Sequence, residues 1–189
     1  MDKSKELSIQ VLLAEYSKLD HEMSDRAQHQ HTLLNITIVA TGTIASFTLA
    51  SQSHRALAVV LPYLCFMLGA LWLNHGHTIA DIGNYLRADL WPQLREMSGN
   101  KSITTREDWV RQQASNRLSR ATFIFPLMVI FILPAVAGLA YSYAKLDSGG
   151  LWVLWGIGVV LTFISLAYWV QFLFYPSAGP SSAGTSAVS

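Results

Sequence analysis

Apolar residues in this chain are concentrated in four long blocks, at residues 33–50, 56–74, 121–144 and 151–175. Each block is close to the length of about 20 residues that a helix needs to cross roughly 30 Å of hydrocarbon. None of the blocks contains Asp, Glu, Lys or Arg. Short connections join the first block to the second and the third to the fourth. The pattern therefore predicts an all-α membrane protein whose four transmembrane helices form two hairpins.

The first helix is expected to extend well beyond its apolar block. Residues 5–50 contain no proline and no glycine before Gly42, so a single helix of about 69 Å could cover them at 1.5 Å per residue. The polar half of this helix has apolar residues in the four-three-four spacing of a coiled-coil seam. These residues are Leu12, Tyr16, Leu19 and Met23.

A second amphipathic stretch follows the second block, with apolar residues at spacings of three and four: Ile79, Ile82, Leu86, Leu90 and Leu94. Pro92 is expected to kink or end this stretch, and a capping box of Thr104 and Glu107 is expected to start another helix. The predicted organisation is a cytoplasmic amphipathic helix at 1–32 continuous with the first span, a first hairpin at 33–74, a cytoplasmic helical linker at 75–120, a second hairpin at 121–175 and a disordered tail at 176–189.

Basic residues indicate which side of the membrane the polar segments occupy. Residues 1–32 and 75–120 hold eleven of the 13 Lys and Arg residues, and the two short turns hold only Arg55 and Lys145. Cytoplasmic segments of membrane proteins carry an excess of Lys and Arg. We therefore predict that the linker and both termini are cytoplasmic and that the protein lies in the plasma (inner) membrane.

Composition narrows the classes of function. Hydrophobic residues make up 51% of the chain and charged residues 13%, against about 25% charged in soluble domains. The net charge of +1 gives no field that would attract nucleic acid, and a single cysteine, Cys65, cannot form an intrachain disulfide. The sequence has no nucleotide-binding glycine loop, zinc-protease motif or nucleophile elbow. We predict neither enzymatic activity nor a cofactor.

The first span has two polar faces when it is drawn as a helix. Thr37, Thr41 and Thr48 share one face, which could line a pore or a polar interface. Alternatively, these threonines bond only to the preceding turn of their own helix. The nearly opposite face is a ridge of small and polar residues that would allow close helix packing: Asn35, Gly42, Ser46 and Ala50. One face can pack inside the protomer while the other meets a neighbour.

A polar cluster follows the second block at the predicted cytoplasmic interface: His75, His77 and Asp81. His77 and Asp81 are four residues apart and share a helix face, whereas His75 lies on another face of a regular helix. A metal site would need a third or fourth ligand, and histidines 21, 29 and 31 of the first helix lie near the same membrane surface. Local hydrogen bonding and proton sensing are the other interpretations.

Residues 12–47 and 71–94 resemble stretches of small uncharacterised bacterial four-span membrane proteins. The plan of residues 5–175 is similar to that of membrane effectors of bacterial defence and conflict operons. The resemblance implies permeabilisation of the membrane and assigns no residue roles. We predict a homo-oligomer that forms a pore or perturbs the lipid bilayer. It would assemble through the small-residue ridge and the cytoplasmic seam, and its cytoplasmic helices would respond to a soluble regulator. Four thin spans also leave little room for a cavity in one protomer, so a pore would need several copies. The alternative is a non-catalytic membrane anchor or assembly subunit that recruits a soluble partner.

Overall fold

The computed structural model describes residues 3–99 and 117–174, and no strand occurs among them. The α-helices are α1 (Lys3–Ala50), α2 (Leu61–Tyr85), α3 (Trp91–Ser98), α4 (Arg117–Ser142) and α5 (Gly149–Phe174). Four helical segments in this part of the chain are long and apolar enough to cross a membrane, which confirms the all-α prediction with four such helices. The predicted capping box of Thr104 and Glu107 and the tail at 176–189 lie outside the described residues.

Helix α1 runs for 48 residues without a break, as the absence of proline and the late first glycine predict. Its contacts with α2 follow in reverse order along the chain. The Gln30 amide donates a hydrogen bond to the Trp72 carbonyl at 3.0 Å, and the Tyr85 hydroxyl donates one to the Glu15 carboxylate at 2.7 Å. The two helices are therefore antiparallel where they pack together.

The connection between α1 and α2 differs from the tight turn expected at 51–55. Ser51 alone is non-helical, and a 3-10 helix, Gln52–Val60, follows at once. Pro62, in the second apolar block, lies in the first turn of α2. Proline fits there because the N–H it lacks has no intrahelical acceptor in a first turn.

The core between the apolar blocks is built around aromatic rings and close helix contacts. Trp169 and Phe131 are fully buried, their ring centroids are 5.5 Å apart, and the Trp72 ring lies 5.3 Å from that of Trp169. Gly138 marks a close helix contact, because an added Cβ atom there would lie 2.6 Å from the Ala58 carbonyl oxygen. Small residues at such contacts are typical of helix packing in membranes.

The seam predicted on α1 packs against the same chain. Leu12, Tyr16, Leu19 and Met23 cover a buried row that extends from α2 into α3: Ile82, Leu86, Leu90 and Leu94. The Tyr16 ring meets the Trp91 ring edge-on, with centroids 5.2 Å apart. We call this contact the seam cluster. The seam therefore needs no second protomer to bury it.

A π-helical segment, Leu86–Leu90, joins α2 to α3 and lies just before Pro92. Proline was expected to kink or end the helix here, because its ring clashes with the carbonyl four residues back. The helix continues because the wider i→i+5 turn makes room for the ring. The wide turn also keeps the buried row of α2 and α3 on the side of the helix that faces α1. Three successive four-residue steps would otherwise carry the buried row about 120° around a regular α-helix.

Leu86→Ala is expected to open the seam cluster locally. The Leu86 side chain is 0% exposed, and truncation of a buried leucine costs about 2–5 kcal/mol. Amide hydrogen exchange of residues 12–23 should accelerate accordingly in the purified full-length protein. Leu7→Ala is the matched control, because Leu7 is 64% exposed on α1 and its truncation should leave exchange unchanged. Equal exchange in both variants would contradict the packing described.

Gly138→Ala is expected to destabilise the membrane bundle. The new methyl would meet the Ala58 carbonyl oxygen at 2.6 Å and the Leu61 side chain at 2.9 Å, so the helices must shift, at a cost of about 1–3 kcal/mol. The apparent melting temperature in detergent should fall. Gly156→Ala is the control, because a Cβ atom at Gly156 has nothing within 4 Å. An unchanged melting temperature in Gly138→Ala would rule out the close contact.

Candidate functional site

The threonine face of the first span lies inside the protomer. Thr37 and Thr48 are buried, and Thr41 is half-buried. The hydroxyls donate to carbonyls of the preceding turn: Thr37 to Leu33 at 2.7 Å, Thr41 to Thr37 at 2.6 Å and Thr48 to Ala45 at 2.9 Å. This is the geometry of the back-bonding interpretation. The threonine hydroxyls thus have acceptors without water.

A cleft of about 220 Å³ lies beside this face, between α1, the start of α2 and α4. Thr41 and Thr48 contribute to its wall, but most of the lining is apolar: Ala45, Leu61, Pro134 and Ala137 belong to it. Tyr141 also belongs to the lining, and its hydroxyl donates to the Thr48 carbonyl at 3.4 Å. The cleft lies at the end of the bundle where α1 turns into the 3-10 helix.

The small-residue ridge of the first span faces away from the protomer. Asn35, Gly42, Ser46 and Ala50 are all exposed, and they lie near the middle of the exposed half of the helix at about 100° per residue. The Ser46 hydroxyl donates to the Gly42 carbonyl at 2.8 Å. The two polar faces of α1 therefore differ in surroundings: threonines pack inside, and the ridge lies on the bundle surface.

Two histidines of the predicted polar cluster contact different helices. The His75 ring stacks on His29 of α1, with centroids 5.6 Å apart, and the His77 ring meets Phe172 of α5 edge-on at 5.0 Å. Asp81 is exposed. Across residues 3–99 and 117–174, no group of three or more His, Cys, Asp or Glu side chains could hold a metal ion. His75 and His77 therefore lie in different helix–helix contacts.

His75 is held in a partly desolvated contact just past the second apolar block. Its Nδ1 atom is buried and has no hydrogen-bond partner within the described part of the chain. Burial lowers the pKa of His75, and the neighbouring charges of His29 and Arg26 lower this pKa further. Arg26 is itself bound to Glu22, with a guanidinium nitrogen 2.7 Å from the carboxylate. Protonation of His75 is therefore unfavourable in the α1–α2 contact and is expected to weaken it.

Two contacts on α1 were not anticipated from the sequence. Gln30 reaches the Trp72 carbonyl, and Glu15 accepts a hydrogen bond from Tyr85. Spacing along α1 cannot reveal either contact, because each depends on how α2 lies against α1. The contact of Arg55 with the Tyr141 ring was also not predicted. The sequence does single out Arg55 in one respect, because it is the single basic residue in the turn between the first two blocks.

Acidification is expected to loosen the α1–α2 contact at His75. A histidine whose pKa is lowered by folding binds fewer protons when folded than when unfolded, so stability present above the unfolded value of about 6.5 is lost as pH falls below it. Amide exchange of residues 26–30 should rise below that pH, and His75→Gln should abolish the rise. His21→Gln, at an exposed position of α1, is the control. An identical acid response in wild type and His75→Gln would contradict this assignment.

No protein family, curated protein or solved structure matches this chain.

Proposed function

We propose that this protein is a multi-pass membrane protein that self-associates in the plasma membrane and forms a pore or perturbs the bilayer. Its four spans form two hairpins, and both termini lie in the cytoplasm. The polar segments that flank the apolar blocks at 1–32 and 75–120 form the cytoplasmic part. This topology is supported by the distribution of Lys and Arg and by the antiparallel contacts of α1 with α2.

The observation that carries self-association is the outward position of the small-residue ridge. Large apolar side chains occupy much of the exposed surface elsewhere on the spans, such as Leu133 on α4 and Phe163 on α5, which are 62% and 69% exposed. The ridge instead presents Gly42, Ser46 and the Asn35 amide. Small residues allow two helix backbones to approach closely, and an amide in hydrocarbon gains from a polar partner. The same ridge on a second copy of the chain would supply both a small packing surface and a polar partner for the Asn35 amide.

A conducting path would lie between protomers. The centre of one protomer is filled by the Trp72, Phe131 and Trp169 rings, and the hydroxyls of the threonine face are bonded to their own helix. Neither region offers a continuous polar surface. Asn35, Thr43 and Ser46 are exposed on the outer face of α1, so several copies of this face arranged around an axis would bring polar groups together.

The cytoplasmic helices would control the assembly through the continuity of α1. Helix α1 carries both the seam residues and the ridge, and it has no break between them. The seam cluster fixes its cytoplasmic half against α2 and α3. A regulator that moved this half would therefore move the ridge as well, because a continuous helix transmits rotation and tilt along its length.

A non-catalytic anchor that recruits a soluble partner is the second candidate. Leu7 and Val11 are 64% and 60% exposed on the part of α1 that precedes the first apolar block. They lie one turn apart, on a different face from the partly buried seam residue Leu12. Exposed apolar residues outside the spans favour protein–protein contact.

Gly42→Leu is expected to weaken self-association of the full-length protein about ten-fold, a loss of about 1.4 kcal/mol. The bulky side chain would hold neighbouring backbones apart at the ridge. Molecular mass in detergent and ion flux in liposomes are the measurements, and both should fall together. Gly156→Leu is the control, because a Cβ atom at Gly156 also has nothing within 4 Å but lies on α5.

Two outcomes would change the proposal. A wild-type protein that is monomeric and gives no flux would rule out the pore and leave the anchor. Thr41→Leu separates the two faces of α1, because Thr41 lines the internal cleft. It should leave flux unchanged. A loss of flux in Thr41→Leu, with the oligomer intact, would assign the path to the threonine face.

A further inference from the structure

The cleft beside the threonine face opens sideways from the bundle. Its wall includes Leu49 and Ala137, and both are exposed on the outer surface. The deeper wall is made by Ala58 and Leu61, which are 1% and 5% exposed. An apolar cleft that opens toward hydrocarbon is filled by whatever the bilayer supplies, which is a lipid acyl chain.

A cation stacks on one of the residues that line this cleft. The Arg55 guanidinium carbon is 4.9 Å from the centroid of the Tyr141 ring, and Tyr141 is itself part of the cleft wall. The Arg55 Nε atom is buried and has no hydrogen-bond partner among the described residues. Arg55 also forms no ion pair with a described carboxylate. The guanidinium is therefore fixed in position by an aromatic ring while its charge stays uncompensated within the described chain.

Aromatic residues place this end of the bundle at a membrane–water boundary. Tyr143 follows Tyr141 by two residues, and it packs with Trp152 and Trp155, with ring centroids 5.7–6.0 Å apart. Such clusters are typical of the headgroup level of a bilayer. Arg55 thus lies at the depth of lipid phosphates, and the cleft extends from there toward the hydrocarbon.

We propose that this site binds an acidic phospholipid, with one acyl chain in the cleft and the phosphate on the Arg55 guanidinium. A guanidinium presents paired N–H donors that match phosphate oxygens. The acyl chain only exchanges one apolar environment for another. The cleft therefore accommodates the chain but discriminates little between lipids. Preference for a net negative headgroup comes from Arg55. This site is complete in one protomer and does not depend on self-association.

The first test measures headgroup preference with the purified full-length protein. Native mass spectrometry would titrate phosphatidylglycerol and phosphatidylcholine with identical acyl chains. Phosphatidylglycerol should bind about five-fold more tightly, as expected for one basic residue at the headgroup level. Arg55→Gln should equalise the two lipids, whereas Lys18→Gln, the same charge change at an exposed position of α1, should keep the preference. A preference that survives in Arg55→Gln would overturn the proposal.

The second test blocks the cleft. Ala137→Phe should weaken binding of both lipids, because the ring would occupy the acyl-chain site from its exposed edge. Ala140→Phe is the control, since Ala140 is exposed on the same helix and lies outside the cleft. Unaltered binding in Ala137→Phe would exclude the cleft as the acyl-chain site.

A third measurement needs no variant. Phosphatidylglycerol with a photoreactive acyl chain should label wild-type peptides that contain residues 41–49 and 134–141. Labelling spread evenly over all four apolar helices would contradict the proposed site. This result does not depend on whether the variants fold.

Discussion

The structure depends first on the absence of water in hydrocarbon. Each backbone N–H and C=O group in a bilayer must find its partner within the protein, which leaves the helix as the spanning element here. The same constraint extends to side chains. Hydroxyls at Thr43, Ser142 and Thr162 donate to carbonyls three or four residues earlier. A first span rich in threonine and serine is compatible with lipid because its own backbone accepts these bonds.

Different forces hold the two halves of α1. In the polar half, the seam cluster buries Leu86 and Leu90 from water, so the hydrophobic effect stabilises it. In the apolar half, lipid is as apolar as the side chains, and burial from water contributes nothing. Close packing takes its place, around the Trp169 ring and at Gly138. The continuous helix α1 is therefore stabilised by the hydrophobic effect in its polar half and by close packing in its apolar half.

The sequence was sufficient for features that repeat along one helix. It predicted four apolar helices, the unbroken α1, and the seam at Leu12 and Tyr16. It was insufficient where a second helix decides the outcome. Nothing in the spacing of Thr37 and Gly42 says which face turns inward, because both faces are polar and small enough to pack. The stacking of His75 on His29 and the wide turn before Pro92 likewise depend on the position of α1 against α2.

Ser51, the single non-helical residue between α1 and the 3-10 helix, bears on how the chain enters the membrane during synthesis. Hydroxyl-rich residues make the first apolar block a weak insertion signal, whereas the second block is more strongly apolar. With Ser51 alone between α1 and the 3-10 helix, the first block cannot settle in lipid far from the second. We expect the translocation machinery to hold the first helix until the second emerges from the ribosome, and to release the two as a pair.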